Sequence, residues 1–455
     1  MRPGTTRHGT PRWLATLLLA AAAAAPSPGA GQDAAEAAVA DTLTLDEAIE
    51  SALATHPLLD RASAASDIAE ADIGSARADW FPSLSLSGTT VRFAEPMVVA
   101  PLHAFDPTMP PVFDRTLIQG RAEASYRVFD GGARGARVEA ARWASDAAGA
   151  EARSAREDVL AGVTIAYARA AAASIRHEAA REREAAGVEG KRQADRLLEQ
   201  GAVAEVETVR AEAERLAGVA AVATAASFEA VARQDLARWM GVEPAALADR
   251  PLRAMGVDPE AIRGDAVPSA EVERAAHRVR QAEASVDIER AGRLPNLDAQ
   301  AALLEFGSGE GSFQGEWQAG LALSFPAFTG GARSAAIDRA RATARGAAAE
   351  LEIARLRQAS AIDRERASLV AAIANAAALR ERSEALFEVM DIAFLAYEQG
   401  AGTQRERTDA SADAYEARAA LADAVAEQVR AAVELGRALG VLTPDWISRA
   451  LGPTP

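Results

Sequence analysis

Two segments of the chain alternate between polar and apolar residues, which predicts β-strands with two unlike faces. In residues 119–128 the odd positions are polar, and the even positions from 122 onward are Ala122, Ala124, Tyr126 and Val128. In residues 313–325 the apolar positions are Phe313, Trp317, Ala319, Leu321, Leu323 and Phe325. The polar positions of the same segment are Gln314, Glu316, Gln318 and Ser324.

A strand of this kind fits two settings, and the alternation alone leaves both open. One is a half-exposed sheet of a soluble protein, and the other is the wall of a membrane barrel with a wet lumen. Strand lengths of about ten residues, with aromatic ends at Phe81, Trp317 and Phe325, favour the barrel. Each of these segments belongs to a predicted hairpin (residues 83–129 and 296–326), which gives four strands in all. Four strands cannot close a barrel alone, so a barrel would need several protomers.

Most of the remaining chain has helical spacing built on small residues. One uncharged seam, with spacings of three and four, consists of Ala141, Ala144, Ala148, Ala152, Ala155, Val159, Val163, Ala166, Ala170 and Ala173. This is a heptad pattern, and a helix of about 70 residues would be roughly 100 Å long. Taken alone, the pattern predicts an alanine-rich coiled-coil rod, but a rod does not explain two inserted hairpins.

The chain also contains an internal repeat. The pairs Gly131/Gly330, Gly201/Gly400 and Gly241/Gly440 are each 199 positions apart, and FPSL (residues 81–84) matches LPNL (residues 294–297) at an offset of 213. A register without gaps over more than a hundred residues predicts a duplication. The predicted repeats are residues 31–245 and 246–442, followed by a tail at 443–455.

Each repeat is predicted to have the same order of elements. A first helix (residues 45–79 or 269–292) is followed by a hairpin (83–129 or 296–326). A Gly-Gly turn then leads into the long helix, and a returning helix ends at Gly241 or Gly440.

The N-terminus predicts export. Arg2, Arg7 and Arg12 precede 13 apolar residues (13–25) and a stretch of small residues, which is typical of a secretory signal peptide, here residues 1–30. Residues 13–25 are too few to span a bilayer. We found no later uncharged apolar run of 18 residues, so a membrane crossing would require a β-barrel.

Charge and motifs exclude several classes of function. The net charge of −16 argues against a nucleic-acid partner, and the absence of cysteine removes disulfides, thiolate metal sites and cysteine nucleophiles. No hydrolase motif or phosphate-binding glycine loop occurs, so we predict no enzyme activity, catalytic residue, metal or cofactor.

The chain carries five distinctive motifs in order: LTLDEAIESALATHP (43–57), ARADWFPSLSLSG (76–88), FDGGARGA (129–136) with its copy FTGGARSA (328–335), LLEQGAVAEVETVRAEAERL (197–216) and AYEQGAGTQRERTDA (396–410). In this order they resemble the TolC-like outer-membrane efflux proteins over nearly all of the mature chain. The resemblance implies a mainly α fold with a β-barrel part. A long α-helical coiled-coil barrel would join a trimeric, 12-stranded transmembrane β-barrel to which each protomer gives four strands.

The resemblance also implies a function. The homotrimer would be the outer-membrane duct of a tripartite efflux or type I secretion system of a Gram-negative bacterium, extending into the periplasm. It would export substrates passively, and its partners would be a periplasmic adaptor protein, an inner-membrane transporter and outer-membrane lipid. The alternative is a soluble periplasmic coiled-coil adaptor or scaffold, which needs no barrel.

The resemblance assigns roles to particular residues. The expected strand–helix junctions are at Pro82, Gly131, Gly132, Pro295, Pro326, Gly330 and Gly331. Residues expected at the membrane interface are Trp80, Phe81, Tyr126 and Trp317. The adaptor-docking tip would comprise Gly201, Ala202, Gly400, Ala401, Gly402 and Thr403.

A tunnel gate is expected just after the tips. By position, Glu406 and Asp409 match acidic residues that constrict the tunnel in relatives, and Glu207 is the counterpart in the first repeat. The run TQRERTDASAD (403–413) departs from the family, because Arg405 and Thr408 stand where apolar residues are usual. This departure bears on tip packing and on the choice of adaptor.

Overall fold

The computed structural model describes residues 42–99, 108, 111–248, 250–262 and 264–453. The predicted signal peptide, residues 1–30, lies outside the described residues. Contacts divide the chain into Met1–Thr42 and Leu43–Pro455, and the helices and strands below all belong to the second unit.

Helices account for most of this unit. In chain order they are α1 (Leu45–Thr55), α2 (Pro57–Ala78), α3 (Ala133–Glu199), α4 (Glu205–Met240), α5 (Ala270–Ala291), α6 (Ala332–Glu398), α7 (Gln404–Ala438) and α8 (Pro444–Ala450). The predicted single helix over 45–79 is two helices, because Pro57 has no backbone N–H to continue the hydrogen-bond ladder of α1. The two long helices, α3 and α6, have 67 residues each.

The strands form two sheets. They are β1 (Ser83–Val98), β2 (Phe113–Phe129), β3 (Met255–Val257), β4 (Asn296–Ser308), β5 (Phe313–Ser324) and β6 (Leu451–Pro453). The large sheet is antiparallel with the order β1-β2-β4-β5, and β3 pairs with β6. The strands of the large sheet have 12 to 17 residues, so they are longer than the ten that the alternation predicts.

The large sheet has an apolar face across all four strands. Cross-strand pairs that lie on one face include Leu86 with Ala122, Ala122 with Leu303, and Leu303 with Trp317. We call this the apolar face, and its members include Leu84, Leu86, Ala122, Ala124, Leu303, Trp317, Leu321 and Leu323. The opposite face is polar and carries the 2.9 Å ion pair between Arg127 Nε and Asp298 Oδ1.

The main core lies around the middle of α3. Helix α3 is buried on nearly all sides between Val159 and Ala172, where α1, α4 and α7 pack against it and β3 packs on α7. The predicted seam is therefore only part of a wider buried surface here. The Tyr167 hydroxyl donates to Leu43 O at 2.7 Å and accepts from Arg253 N at 2.9 Å, which ties two distant segments to the helix.

Among the described residues, two helices, α3 and α4, are long and apolar enough to cross a membrane. The apolar stretch of α3 is 61% buried within the protein, as in a core helix, whereas that of α4 is 11% buried. Because core helices of soluble proteins can have the same length and composition, these two properties identify no membrane span by themselves. The apolar residues of α4 are mostly exposed in the single chain, and burying them would require contact with another molecule.

Glu157 provides a pH-dependent test of the packing where α3 meets α5 and α7. Burial raises the pKa of Glu157 to about 7, against the attraction of Arg437. A carboxyl whose pKa is raised by folding binds its proton more tightly in the native state, so stability falls as pH rises from about 4.5 to 7. After discounting for partial exposure, we expect Glu157→Gln to stabilise the protein at pH 8 by roughly 1–2 kcal/mol.

Thermal unfolding of both proteins at pH 4 and pH 8 checks this expectation. At pH 4 the carboxyl is mostly neutral in both states, so the variant and the wild type should be close in stability. An equal effect of the substitution at the two pH values would contradict the assignment.

Candidate functional site: the helix turns at Gly201 and Gly400

The turns between α3 and α4 and between α6 and α7 are alike in backbone but differ in their caps. Gly201 and Gly400 have φ of 69° and 74°, in the region that favours glycine. In each turn the following residue closes on the preceding helix, with Ala202 N donating to Leu197 O at 2.8 Å and Ala401 N to Ala396 O at 2.9 Å.

The second turn continues into a capped helix. Gly402 N also donates to Ala396 O, and the Thr403 hydroxyl accepts from Glu406 N at 3.2 Å. The Glu406 carboxylate accepts from Thr403 N at 2.8 Å in return, which completes a capping box. Helix α4, by contrast, begins after Ala204, whose side chain cannot accept a hydrogen bond.

The two acids predicted at the gate both lie exposed at the start of α7. The hydrogen bond from Thr403 N lowers the pKa of Glu406. Asp409 Oδ2 lies 3.4 Å from Arg405 Nε, which also projects into solvent. Each acid thus has a local partner, and a ring around a tunnel axis stays a prediction.

Arg407 points to the other side of α7 and is 4% exposed. Its guanidinium lies 5.1 Å from the ring centre of Phe394 and 5.0 Å from that of Tyr397, both on α6. Nη1 donates to Gln193 Oε1 of α3 at 3.0 Å. Gly190 of α3 makes room for this side chain, because a Cβ there would meet the guanidinium. Arg407 therefore joins three helices.

Around Arg407 and Tyr397 lie three buried polar atoms that lack a hydrogen-bond partner in the part of the chain that the structure describes. They are the Tyr397 hydroxyl, Glu207 Oε2 and Gln404 Oε1. Burial raises the pKa of Tyr397, Arg407 opposes this shift, and the Glu207 carboxylate adds to it. The other oxygen of Glu207 accepts from Arg210 Nη1 at 2.9 Å.

We call this group the tip cluster; its members are Gln193, Glu207, Tyr397, Gln404 and Arg407. It contains one residue predicted for the gate, Glu207, and four that were not among the predicted site residues. Two signals were available in the sequence: Gly187 and Gly190 interrupt a helical pattern, which marks a close approach, and Thr403 with Glu406 matches a capping box. Its members belong to α3, α4, α6 and α7, close to the ends of these helices at the two turns.

The predicted junction residues lie where strands meet helices. Pro82 and Pro295 immediately precede β1 and β4, and Pro326 follows β5. Gly131, Gly132, Gly330 and Gly331 all have positive φ and stand directly before α3 and α6.

The first junction is held by a buried ion pair. Arg134 Nε lies 3.2 Å from Asp130 Oδ2, and both side chains are 5% exposed. The guanidinium stacks on Trp80 at 4.5 Å and lies 5.8 Å from Tyr126, two of the residues expected at the membrane interface. The other two, Phe81 and Trp317, are largely exposed.

Comparison with known proteins agrees with this arrangement. The sequence profile of the outer membrane efflux protein family matches residues 48–242 and 268–441. Protein CyaE of Bordetella pertussis is 32% identical over 337 residues, which cover 70% of this chain and 67% of CyaE.

Solved structures share the fold at low sequence identity. The outer membrane protein VceC of Vibrio cholerae has a TM-score of 0.71 at 20% identity, covering 87% of this chain and 96% of VceC. The CmeC outer membrane channel of Campylobacter jejuni has a TM-score of 0.73 at 15% identity, covering 87% of this chain and 85% of CmeC.

The family is that of outer membrane efflux proteins, and the fold is the one that outer-membrane channels share. The predicted resemblance is confirmed: the chain belongs to the outer membrane efflux protein family.

Proposed function

We propose that three copies of this chain assemble into a passive duct, with a 12-stranded barrel in the outer membrane and a tunnel of helices in the periplasm. The observation that carries this proposal is the large sheet. Its apolar face is open, with Leu86 78% and Leu323 71% exposed, and among the described residues β1 and β5 each pair on one side only.

Lipid would cover the exposed apolar face, and neighbouring copies would pair with the open edges of β1 and β5. Acyl chains cover the apolar face, and closure with other protomers removes the edges, which a bilayer does not tolerate. Three four-stranded sheets supply the strands of such a barrel. The polar face then lines a wet lumen, consistent with the Arg127–Asp298 pair on it.

The helices continue the duct, and the tip cluster closes it. Arg407 of α7 lies over the ring of Tyr397 of α6 and donates to Gln193 of α3, and Glu207 of α4 lies near Tyr397. Opening requires the two hairpins to separate, which breaks these contacts. The turns at Gly201–Ala202 and Gly400–Thr403 dock on a periplasmic adaptor, and an inner-membrane transporter supplies the energy.

Detergent extraction tests the duct. We expect the protein to fractionate with outer membranes and to give, in detergent, a particle of three chains by light scattering with detergent correction. A monodisperse monomer that is soluble without detergent would contradict the proposal and favour the soluble scaffold.

The acidic ring at the tip predicts ion selectivity. With three copies each of Glu406 and Asp409 near the tunnel axis, we expect the open duct to favour cations and to be blocked by multivalent cations. In the double variant Glu406→Gln/Asp409→Asn, cation selectivity and block should both fall in planar-bilayer recordings. Thr403→Ala is the control, since it weakens the cap without removing charge, at a cost of about 1 kcal/mol. Unchanged selectivity and block in the double variant would leave the two acids as an ordinary solvated surface.

A further inference from the structure

A groove runs along α3 between α4 and α7. Both of these helices pack on α3 and scarcely touch each other, so the surface of α3 is open between them. The first part of the groove encloses about 610 Å³ and extends along α3 from Gly162 to Arg176. A second part of about 500 Å³ continues to Arg183 and shares Arg176, Phe228 and Asp423 with the first. Volumes of this size are typical of small-molecule sites.

The two walls of the groove differ in character, although they occupy equivalent positions of the two repeats. Phe228 and Val231 of α4 are apolar and more than half exposed. Adding 199 to their numbers gives Glu427 and Arg430 of α7, which line the opposite wall. The groove therefore offers an apolar wall and a charged wall to the same ligand.

Trp239 closes one end of the apolar wall. Gly162 makes room for its ring, because a Cβ on that glycine would lie 2.5 Å from three of the ring atoms. The ring also stacks on His56, with ring centres 5.2 Å apart. The second repeat has alanine at both equivalent positions, Ala361 and Ala438, so the duplication does not account for this aromatic end.

The acidic side chains that line the groove are engaged by arginines. The pairs are Arg176 with Asp423, Arg430 with Glu427 at 2.6 Å, and Arg238 with Asp235. The remaining acid, Glu434, also lies near Arg430. These carboxylates are matched within the protein and do not call for a cationic ligand.

Arg169 is the cation that remains. It lies on the α3 floor of the groove, is exposed, and forms no ion pair with another described residue. Glu427 is close enough to feel its charge, but that carboxylate is held by Arg430. The equivalent of Arg169 in the second repeat is Ser368. An exposed guanidinium of this kind binds carboxylate, sulfate and sulfonate groups through charged hydrogen bonds.

The groove shares its orientation with the predicted gate. Phe228 is 21 residues from Glu207, and Glu427 is 21 residues from Glu406. Because 21 residues are three heptads, the two members of each pair lie on the same face of their coiled-coil helix. In the proposed duct both walls of the groove then border the tunnel, about 30 Å from the gate.

We propose that this groove binds an amphipathic organic anion on its way through the duct. The apolar part of the ligand packs on Phe228, Val231 and Trp239, and its anionic group binds Arg169. Because the chain has a net charge of −16, the protein as a whole repels anions, and a local cation gives an anion a place to bind. This inference rests on the proposed duct and names one class of its substrates.

Calorimetric titration of the protein in phosphatidylcholine nanodiscs with naphthalene-2-sulfonate tests the groove, with empty nanodiscs as the blank. We expect saturable binding by the wild type at one ligand per chain. Arg169→Ser and Phe228→Ser, both at exposed positions, should each weaken binding by about tenfold or more. Arg142→Gln is the control, because it removes an exposed arginine of α3 outside the groove. The neutral analogue 2-naphthalenemethanol should bind the wild type about tenfold more weakly than the sulfonate.

Three results would overturn the groove as an anion site. They are the absence of saturable binding, equal affinity for the neutral analogue, and an effect of Arg142→Gln as large as that of Arg169→Ser. Light scattering of the same protein in detergent separates this proposal from the duct. A trimer that does not bind the sulfonate would overturn the groove alone, whereas a monomer that binds it would overturn the duct and keep the groove.

Discussion

Arginine at both Leu321 and Leu323 is expected to abolish assembly in the outer membrane. The two side chains lie on the apolar face, each 71% exposed in the single chain, and in the proposed barrel they contact acyl chains. One arginine on a lipid-facing position costs about 2–4 kcal/mol near mid-bilayer. Two such penalties are comparable with the roughly 5–15 kcal/mol that stabilises a typical folded protein.

The measurement is the fraction of expressed protein recovered as a heat-modifiable trimer in outer-membrane fractions. Ala322→Arg and Gln318→Arg are matched controls, because the first lies between the two leucines and both lie on the polar face. These controls should assemble at near wild-type levels. If arginine on either face lowered assembly to the same degree, the assignment of the lipid and lumen faces would be wrong.

Arg407→Ala is expected to shift the duct strongly towards its open state. The substitution removes a buried cation from two aromatic rings and from Gln193, without touching either turn. A desolvated cation–π contact contributes up to about 2 kcal/mol and a hydrogen bond from a charged group about 1.5–3 kcal/mol. A net loss of about 3 kcal/mol would raise the open-to-closed ratio by roughly 100-fold.

Single-channel conductance in planar bilayers measures this shift. Arg405→Ala is the control: it removes an arginine two residues away, but this one is exposed and is paired with Asp409. Gly190→Ala should act in the same direction as Arg407→Ala, because the added methyl group displaces the guanidinium. If Arg405→Ala and Arg407→Ala behaved alike, or if all variants had wild-type conductance, the tip cluster would not be part of the gate.

Much of the fold follows from short-range patterns in the sequence. Alternation at 313–325 identifies β5 and its two faces, because a strand with one wet and one apolar side must alternate. The positions of Gly131, Gly201 and Gly400 locate three turns, since each has a backbone conformation that other residues rarely adopt. The offset of 199 carries these assignments from one half of the chain to the other.

Features that depend on distant contacts could not be read in this way. Arginine normally lies at a surface, and Arg407 is buried only because Gly190, more than 200 residues earlier, leaves space beside it. The extra length of β2 at Phe113 arises from pairing with β1, since FDRTLI does not alternate cleanly. The capping role of Glu406 can be predicted from Thr403 three residues before it, and its predicted place at the gate is a separate expectation.

The unequal caps of the two turns have a consequence for local unfolding. Thr403 and Glu406 satisfy backbone groups at the start of α7, whereas Ala204 offers α4 no side-chain acceptor. A cap of this kind contributes about 1 kcal/mol, so the first turn of α4 should fray about fivefold more often than that of α7. Amide hydrogens near residue 206 should then exchange before those near residue 405. In the proposed trimer, three uncapped turns at the start of α4 and three capped turns at the start of α7 would alternate around the tunnel mouth. A docking partner would then contact three turns of each kind.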